Sequence, residues 1–176
     1  LLTINRKGKK MGLVKGPFTV TWGQNSITDV EEMEFEYEVE SNDYKTIDGR
    51  TFKVDGAIKA SVGLTLLSTD IASLAVLLPQ YFKRKDETLS TGERVTDEAG
   101  AIDFEAAKCG SSSQKYNLDI KTDCSKETLR LVNAKPSLTN IEYADNSVRK
   151  ITITYNAEPE QGKAVMQFFK NSGIQA

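Results

Sequence analysis

The sequence predicts a mainly antiparallel β protein with one short α-helix. Three observations predict it. Apolar residues recur with a period of two along most of the chain, Asp-Gly pairs punctuate the strands, and the period changes to that of a flanking helix around residues 70–78. At 176 residues, 39% apolar and 27% charged, the chain has the length and composition of one globular domain spanning 1–176.

The elements follow in order. Phe18, Val20 and Trp22 alternate with Thr19 and Thr21, as in a half-buried strand. Met33, Phe35, Tyr37 and Val39 then alternate with Glu34, Glu36, Glu38 and Glu40, giving one apolar face and one row of carboxylates. Asp48-Gly49 and Asp55-Gly56 both read as hairpin turns, with a short strand Thr51–Val54 between them. Ile58, Ala60, Val62, Leu64 and Leu66 continue the alternation, so residues 33–66 read as a meander with tight reversals. Asp70 and its neighbours offer N-caps for a helix over 70–78, with Ile71, Leu74, Ala75 and Leu78 at helical spacing and Pro79 ending it. Leu67, Val76 and Leu77 make this helix apolar almost all round, so either the chain's own sheet or another subunit must cover it. Residues 83–115 read as a long polar loop. Strands resume at 116–122, 128–132 and 148–155, and Ala164, Val165, Phe168 and Phe169 read as a short terminal helix.

Composition excludes whole classes of chemistry. The chain has no histidine, so it can form neither a His-containing catalytic triad nor a His-ligated metal site. Two cysteines, Cys109 and Cys124, are too few for a four-cysteine zinc site. Their spacing permits a hairpin disulfide, but two unpaired thiols in a reducing cytosol is the preferred reading. Residues 1–10 lack the apolar run of a signal peptide, consistent with cytosolic synthesis, and the chain opens on Leu1 rather than Met, leaving room for residues ahead of it. No apolar run reaches the ~20 residues of a membrane span. Ser112–Lys115 matches S-x-x-K but lacks a K-T-G partner. The side-by-side glutamates offer no environment that would raise one of them for acid catalysis. No enzyme activity, cofactor or metal is expected.

The net charge of −2 conceals a strong asymmetry. Residues 1–17 carry Arg6, Lys7, Lys9, Lys10 and Lys15 with no acid, and residues 18–44 carry eight acids with no base. The glutamate row reads either as a solvated sheet face or as a surface selected for its field. Glutamate is a weak strand former, which favours the second. The basic arm, 1–15, reads as a solvated tail or as a flexible segment that pairs with an acidic surface of a neighbouring subunit. Nucleic-acid binding is opposed by the overall acidity.

Several stretches resemble the major tail tube proteins of long-tailed bacteriophages. They are Thr46-Ile47-Asp48-Gly49-Arg50-Thr51-Phe52-Lys53-Val54-Asp55-Gly56-Ala57, then Val62–Asp70, then Leu77-Leu78-Pro79-Gln80-Tyr81. Gly16-Pro17-Phe18, the acidic strand and Tyr155–Pro159 fit as well, while 83–147 agrees only in general character. The resemblance implies a β-sandwich or half-barrel with a flanking helix, like the type VI secretion tube protein. It also implies hexameric rings whose sheets join into one barrel, and stacked rings that conduct DNA from capsid to host. Four strands from each of six copies would give a barrel of 24 strands. At ~4.8 Å per strand and ~36° tilt its bore is roughly 30 Å after side chains, wide enough for a duplex. The implied partners are further copies of the chain, a tape-measure protein and tail terminator or tip proteins, with DNA passing without specific binding and no membrane. The implied location is a virion tail assembled in the bacterial cytoplasm.

On this reading Glu34, Glu36, Glu38 and Glu40 line the channel and repel phosphates, while Arg6, Lys7, Lys9, Lys10, Ile71, Leu74 and Leu78 make contacts between subunits or rings. The row facing outward is the alternative. A tube of a contractile tail or secretion system, and a monomeric ligand-binding sandwich, are the rival functions.

Overall fold

A computed structural model describes residues 11–12, 18–67, 70–106, 114–122, 126–143, 149–171 and 173–174. The strands are β1 Met11–Gly12, β2 Phe18–Trp22, β3 Asn25–Ile27, β4 Val30–Lys45, β5 Thr51–Leu67, β6 Phe82–Lys83, β7 Ala101–Ile102, β8 Tyr116–Thr122, β9 Glu127–Tyr143, β10 Arg149–Ala157 and β11 Met166–Lys170. Among the described residues one α-helix, α1 Ile71–Leu77, precedes a 3-10 turn at Pro79–Tyr81. Nine strands form one antiparallel sheet in the order β1-β4-β5-β10-β9-β8-β2-β3, with β11 also on β9, and β6 pairs β7 separately. The mainly β class with one helix is as the sequence predicts.

The long strand β9 folds this sheet over. Its first half pairs with β8 and β11, and its second half pairs with β10. The β8-β2-β3 end therefore lies against the β4-β5-β10 end, and one core fills the space between them. Val20 and Trp22 of β2 join Met33, Phe35, Val62, Leu64, Ile151, Ile153 and Tyr155 in a single buried cluster. Trp22 donates its indole N–H to the Ala134 carbonyl at 3.0 Å, and its ring lies 5.8 Å from that of Tyr155. The polar atom of the largest core side chain is thereby satisfied.

The helix ends where its sequence says it should. Asp70 accepts the Ser73 N–H at 2.8 Å, and Pro79 follows the last turn. Leu74, Leu77 and Leu78 pack into the chain's own core, whereas Ile71 and Val76 remain exposed. The apolar stripe is thus covered on one side only.

Five sequence expectations need correction. Asp55-Gly56 is not a turn, and Thr51–Val54 is not a separate strand, because β5 runs unbroken from Thr51 to Leu67. The register between Val39↔Ile58 and Ser41↔Asp55 shifts by one residue, so the Asp55-Gly56 signal marks a bulge in β5. A Cβ on Gly56 would come 3.1 Å from the Glu40 carbonyl oxygen, which explains glycine there. The stretch 164–169 is no helix: Met166–Lys170 forms β11, since ladder bonds to β9 outweigh a helical spacing too short to nucleate alone. The strand expected at 128–132 continues through Pro136 to Tyr143. Pro136 is tolerated because it faces away from β10, and its carbonyl accepts the Gln80 side-chain N–H at 3.1 Å. The first part of the expected polar loop is tied down, with Val95 buried and backbone bonds such as Asp86 N–H to Val95 O at 2.8 Å.

Candidate functional site

The face of the sheet opposite the core is a concave polar surface built by β4, β5, β10 and β9. Its layout follows from strand alternation, since residues flanking each buried position point the other way. Between Met33 and Phe35 lies Glu34; between Val62, Leu64 and Leu66 lie Gly63 and Thr65; between Ile151, Ile153 and Tyr155 lie Thr152 and Thr154. Register aligns them into rows across the four strands. One row runs Glu34, Gly63, Thr154, Ser137, and a second runs Glu36, Ser61, Asn156, Lys135. The lining comprises short hydroxyl and amide side chains together with Glu31, Glu32, Glu34, Glu36, Glu142 and Lys150.

Hydrogen bonds hold the carpet of hydroxyls flat. Thr65 and Thr152 share a bond at 3.2 Å, and the Ser137 hydroxyl donates to the Thr154 carbonyl at 3.2 Å. The one lysine on this lining, Lys150, pairs with Glu31 at 2.8 Å. That bond, joined by the fields of Glu31, Glu142 and Glu32, holds the Lys150 ammonium above the ordinary lysine range. Five carboxylates against Lys150, with Lys135 at the end of the second row, leave the surface acidic.

The predicted channel residues divide into two pairs. Glu34 and Glu36 lie on this surface, Glu34 half-buried and Glu36 exposed. Glu38 and Glu40 follow on the same strand toward the tip of the β4–β5 hairpin, outside the concave lining. Both are met by a base on β5: Lys59 is the register partner of Glu38 and forms an ion pair with Glu40. The hydrogen bond that Lys59 donates to Glu40 holds its ammonium above the ordinary lysine range, with the Glu38 charge contributing.

Sequence reading missed Glu142, Lys150 and the Ser/Thr/Asn rows. Their signal was present in Ser61, Gly63, Thr65, Thr152 and Thr154, small residues alternating with large apolar ones. Arg6, Lys7, Lys9 and Lys10 lie outside the described residues, as do Cys109, Cys124, Ser112 and Ser113. Lys115, the last residue of the S-x-x-K match, forms an ion pair with Glu158. Among the described residues no helix is long and apolar enough to cross a membrane.

Two edges flank the polar surface. On β4, among the described residues, only Met11–Gly12 pairs with the outer side, at Phe35 and Glu34. On β9, β8 covers the outer side as far as Ala134, and no described strand covers the outer side of 135–143. Half-exposed apolar side chains border both edges on the core side, Tyr37 and Val39 on one and Ile141 and Tyr143 on the other.

Solved structures share this architecture. A chain of the anti-feeding prophage cap, the AFP tube-terminating cap, matches with a TM-score of 0.51 at 14% identity, covering 90% of this chain and 94% of that one. A chain of the PVC sheath–tube complex, from an extracellular contractile injection system in the extended state, matches with a TM-score of 0.50 at 16% identity, covering 87% and 91%. The shared property is the fold. No protein-family model and no curated protein matches the chain.

Proposed function

We propose that this chain is the subunit of a tail tube. Copies join edge to edge into a closed ring, hexameric as in the bacteriophage proteins it resembles, and rings stack around a channel lined by the concave polar surface. The observation that carries this reading is the four-strand polar surface bounded by two edges that no described strand covers over residues 36–45 of β4 and 135–143 of β9. Strands β4, β5, β10 and β9 alternate in direction, so the β9 edge of one copy meets the β4 edge of the next in the antiparallel sense. Joining them brings Ile141 and Tyr143 to the same side as Tyr37 and Val39, covering apolar surface that a lone copy leaves half exposed.

The acidic, hydroxyl-rich lining suits passage of DNA. A basic wall would hold phosphates through many contacts, whereas carboxylates repel them and leave the duplex hydrated. On this reading the tube sits in a virion tail assembled in the host cytoplasm, meeting a tape-measure protein and terminator or tip proteins at its ends. The likeness to the injection-system chains supports a second version, a tube inside a contractile sheath. Co-assembly with a sheath protein separates the two.

Negative-stain imaging of purified protein tests the reading. Rings or tubes are expected, and a monodisperse monomer up to high concentration overturns it. With Glu34→Lys and Glu36→Lys together, tubes are expected to form but DNA ejection to slow severalfold. Unchanged ejection kinetics remove these residues from the channel.

A further inference from the structure

A short strand already sits on the edge where a ring would close. β1 runs antiparallel along the outer side of β4, with Met11 opposite Phe35 and Gly12 opposite Glu34. It divides that edge in two. Val30–Met33 lie on one side of it, and Glu36–Lys45, toward the hairpin tip, lie on the other. A second copy that lays its β9 on β4 must run in line with β1 or displace it.

Barrel geometry limits where that strand can lie. Within a copy Ser137 stands level with Glu34, at the far end of the same row. Four strands at ~4.8 Å with a tilt of 35–45° require a stagger of about 13–19 Å from copy to copy, roughly four to six residues. Only a stagger toward the hairpin tip leaves β9 a partner, because β4 begins at Val30. An odd step would turn every side chain to the wrong face. Ser137 of one copy therefore stands opposite Glu38 or Glu40 of the next.

The two registers treat β1 differently. One extra residue in β9, between Leu138 and Asn140, shifts the count past that point. With Ser137 opposite Glu38, Ile141 and Glu142 fall on Phe35 and Glu34, the residues that β1 holds. With Ser137 opposite Glu40, β9 runs over residues 36–40, and only Tyr143, its last residue, reaches the level of β1. This second register also matches side chains. Leu138 meets Val39 and Ile141 meets Tyr37, covering the two half-exposed core-side residues of β4. On the polar side Asn140 meets Glu38. One pair opposes, Glu142 against Glu36, and Lys150, level with Glu142 in its own copy, offsets it.

We infer that β1 is the register stop of the seam between copies: it bars the end of β9 from residues 34 and 35 of the next copy and so sets Ser137 opposite Glu40. The inference rests on the tube reading and adds which residues face each other across the seam. A slip of two residues keeps every face in place, so the alternation of the strands does not forbid it. In a closed ring such a slip changes the tilt, and with it the bore. A stop at the edge gives every ring the same bore.

Cysteine pairs read the register. In a chain carrying Cys109→Ser and Cys124→Ser, Glu40→Cys with Ser137→Cys is expected to give disulfide-linked oligomers on oxidation, and Glu38→Cys with Ser137→Cys to stay unlinked. Cβ atoms directly opposite are ~4.5–5.5 Å apart and those one step off ~7–8 Å, beyond disulfide reach. Within a copy each pair spans three strand spacings, ~14 Å, so a bond can form only between copies. Met11→Pro with Gly12→Pro takes both N–H groups from β1 and breaks its pairing, with folding checked by circular dichroism. In that chain the Glu38→Cys pair is expected to link. Linking of that pair to the same extent with and without β1, or in neither, overturns the stop. Rings seen by negative stain without the Glu40→Cys link overturn the register and leave the ring standing. A chain that stays monomeric and unlinked overturns the tube reading and this inference with it.

Discussion

The two halves of β5 carry similar residues and meet opposite fates. From Ile58 to Leu67, Val62 and Leu64 are fully buried and their neighbours face the polar surface. From Thr51 to Val54, Phe52 and Val54 alternate just as regularly with polar residues, yet both stay more than half exposed. The difference is the bulge at Asp55-Gly56, which turns Phe52 and Val54 to the face opposite the core, together with the strands that flank each half. The inner half is paired on both sides, by β4 and β10, and roofed by β2 and β8, whereas the outer half has only β4. Period two says which side chains share a face, and the third layer decides whether that face is core.

Mutations should separate the halves, in descending order of effect. Leu64→Ala is expected to cost about 2–5 kcal/mol of unfolding free energy in urea titration, because it deletes fully buried methyl groups. Gly56→Ala at the junction is expected to cost about 1 kcal/mol, since the Glu40 carbonyl must give way by a few tenths of an ångström. Phe52→Ala in the outer half should change monomer stability by at most about 0.5 kcal/mol, because the side chain is more than half exposed. If Phe52→Ala rivals Leu64→Ala in the isolated monomer, the outer half is packed within the chain and the contrast fails.

Acid should act on the α1 end with a smaller effect. The Ser73 hydrogen bonds hold the Asp70 carboxyl below the usual aspartate range. A depressed carboxyl contributes stability that is fully present above its unfolded pKa and is lost as pH falls through the folded value. Mild acid is therefore expected to leave α1 intact, and stronger acid to loosen its first turn. Asp70→Asn, which keeps a capping oxygen without the charge, should flatten that dependence in a titration followed by circular dichroism.

The sequence made the inner elements legible because two signals agreed there. Phe18–Trp22, the β4 core positions and the Asp70-capped helix each combine a period with a boundary residue. Where one signal stood alone it misled. Asp55-Gly56 looks like a turn in isolation, and only the register of β4 shows it to be a bulge. The period around 128–132 gave no sign that the strand runs on, yet β9 continues through Pro136 to Tyr143. Phe168 and Phe169 fit a helix until β9 supplies a ladder for them. Of the polar surface, the charged row Glu34–Glu36 was legible and its rows of hydroxyls were not. Ser, Thr and Asn on a sheet face give no contrast until the strands are placed in order.

Pro136 carries a consequence for how copies would zip together. With no N–H, it leaves a gap in the β9 edge, and its carbonyl is already taken by Gln80. An incoming strand can run along this edge only on the Tyr143 side of that gap. So short a ladder holds two copies weakly, and many such ladders hold a closed ring firmly. Chains would stay apart while the subunit is dilute, and incomplete rings would come undone rather than persist.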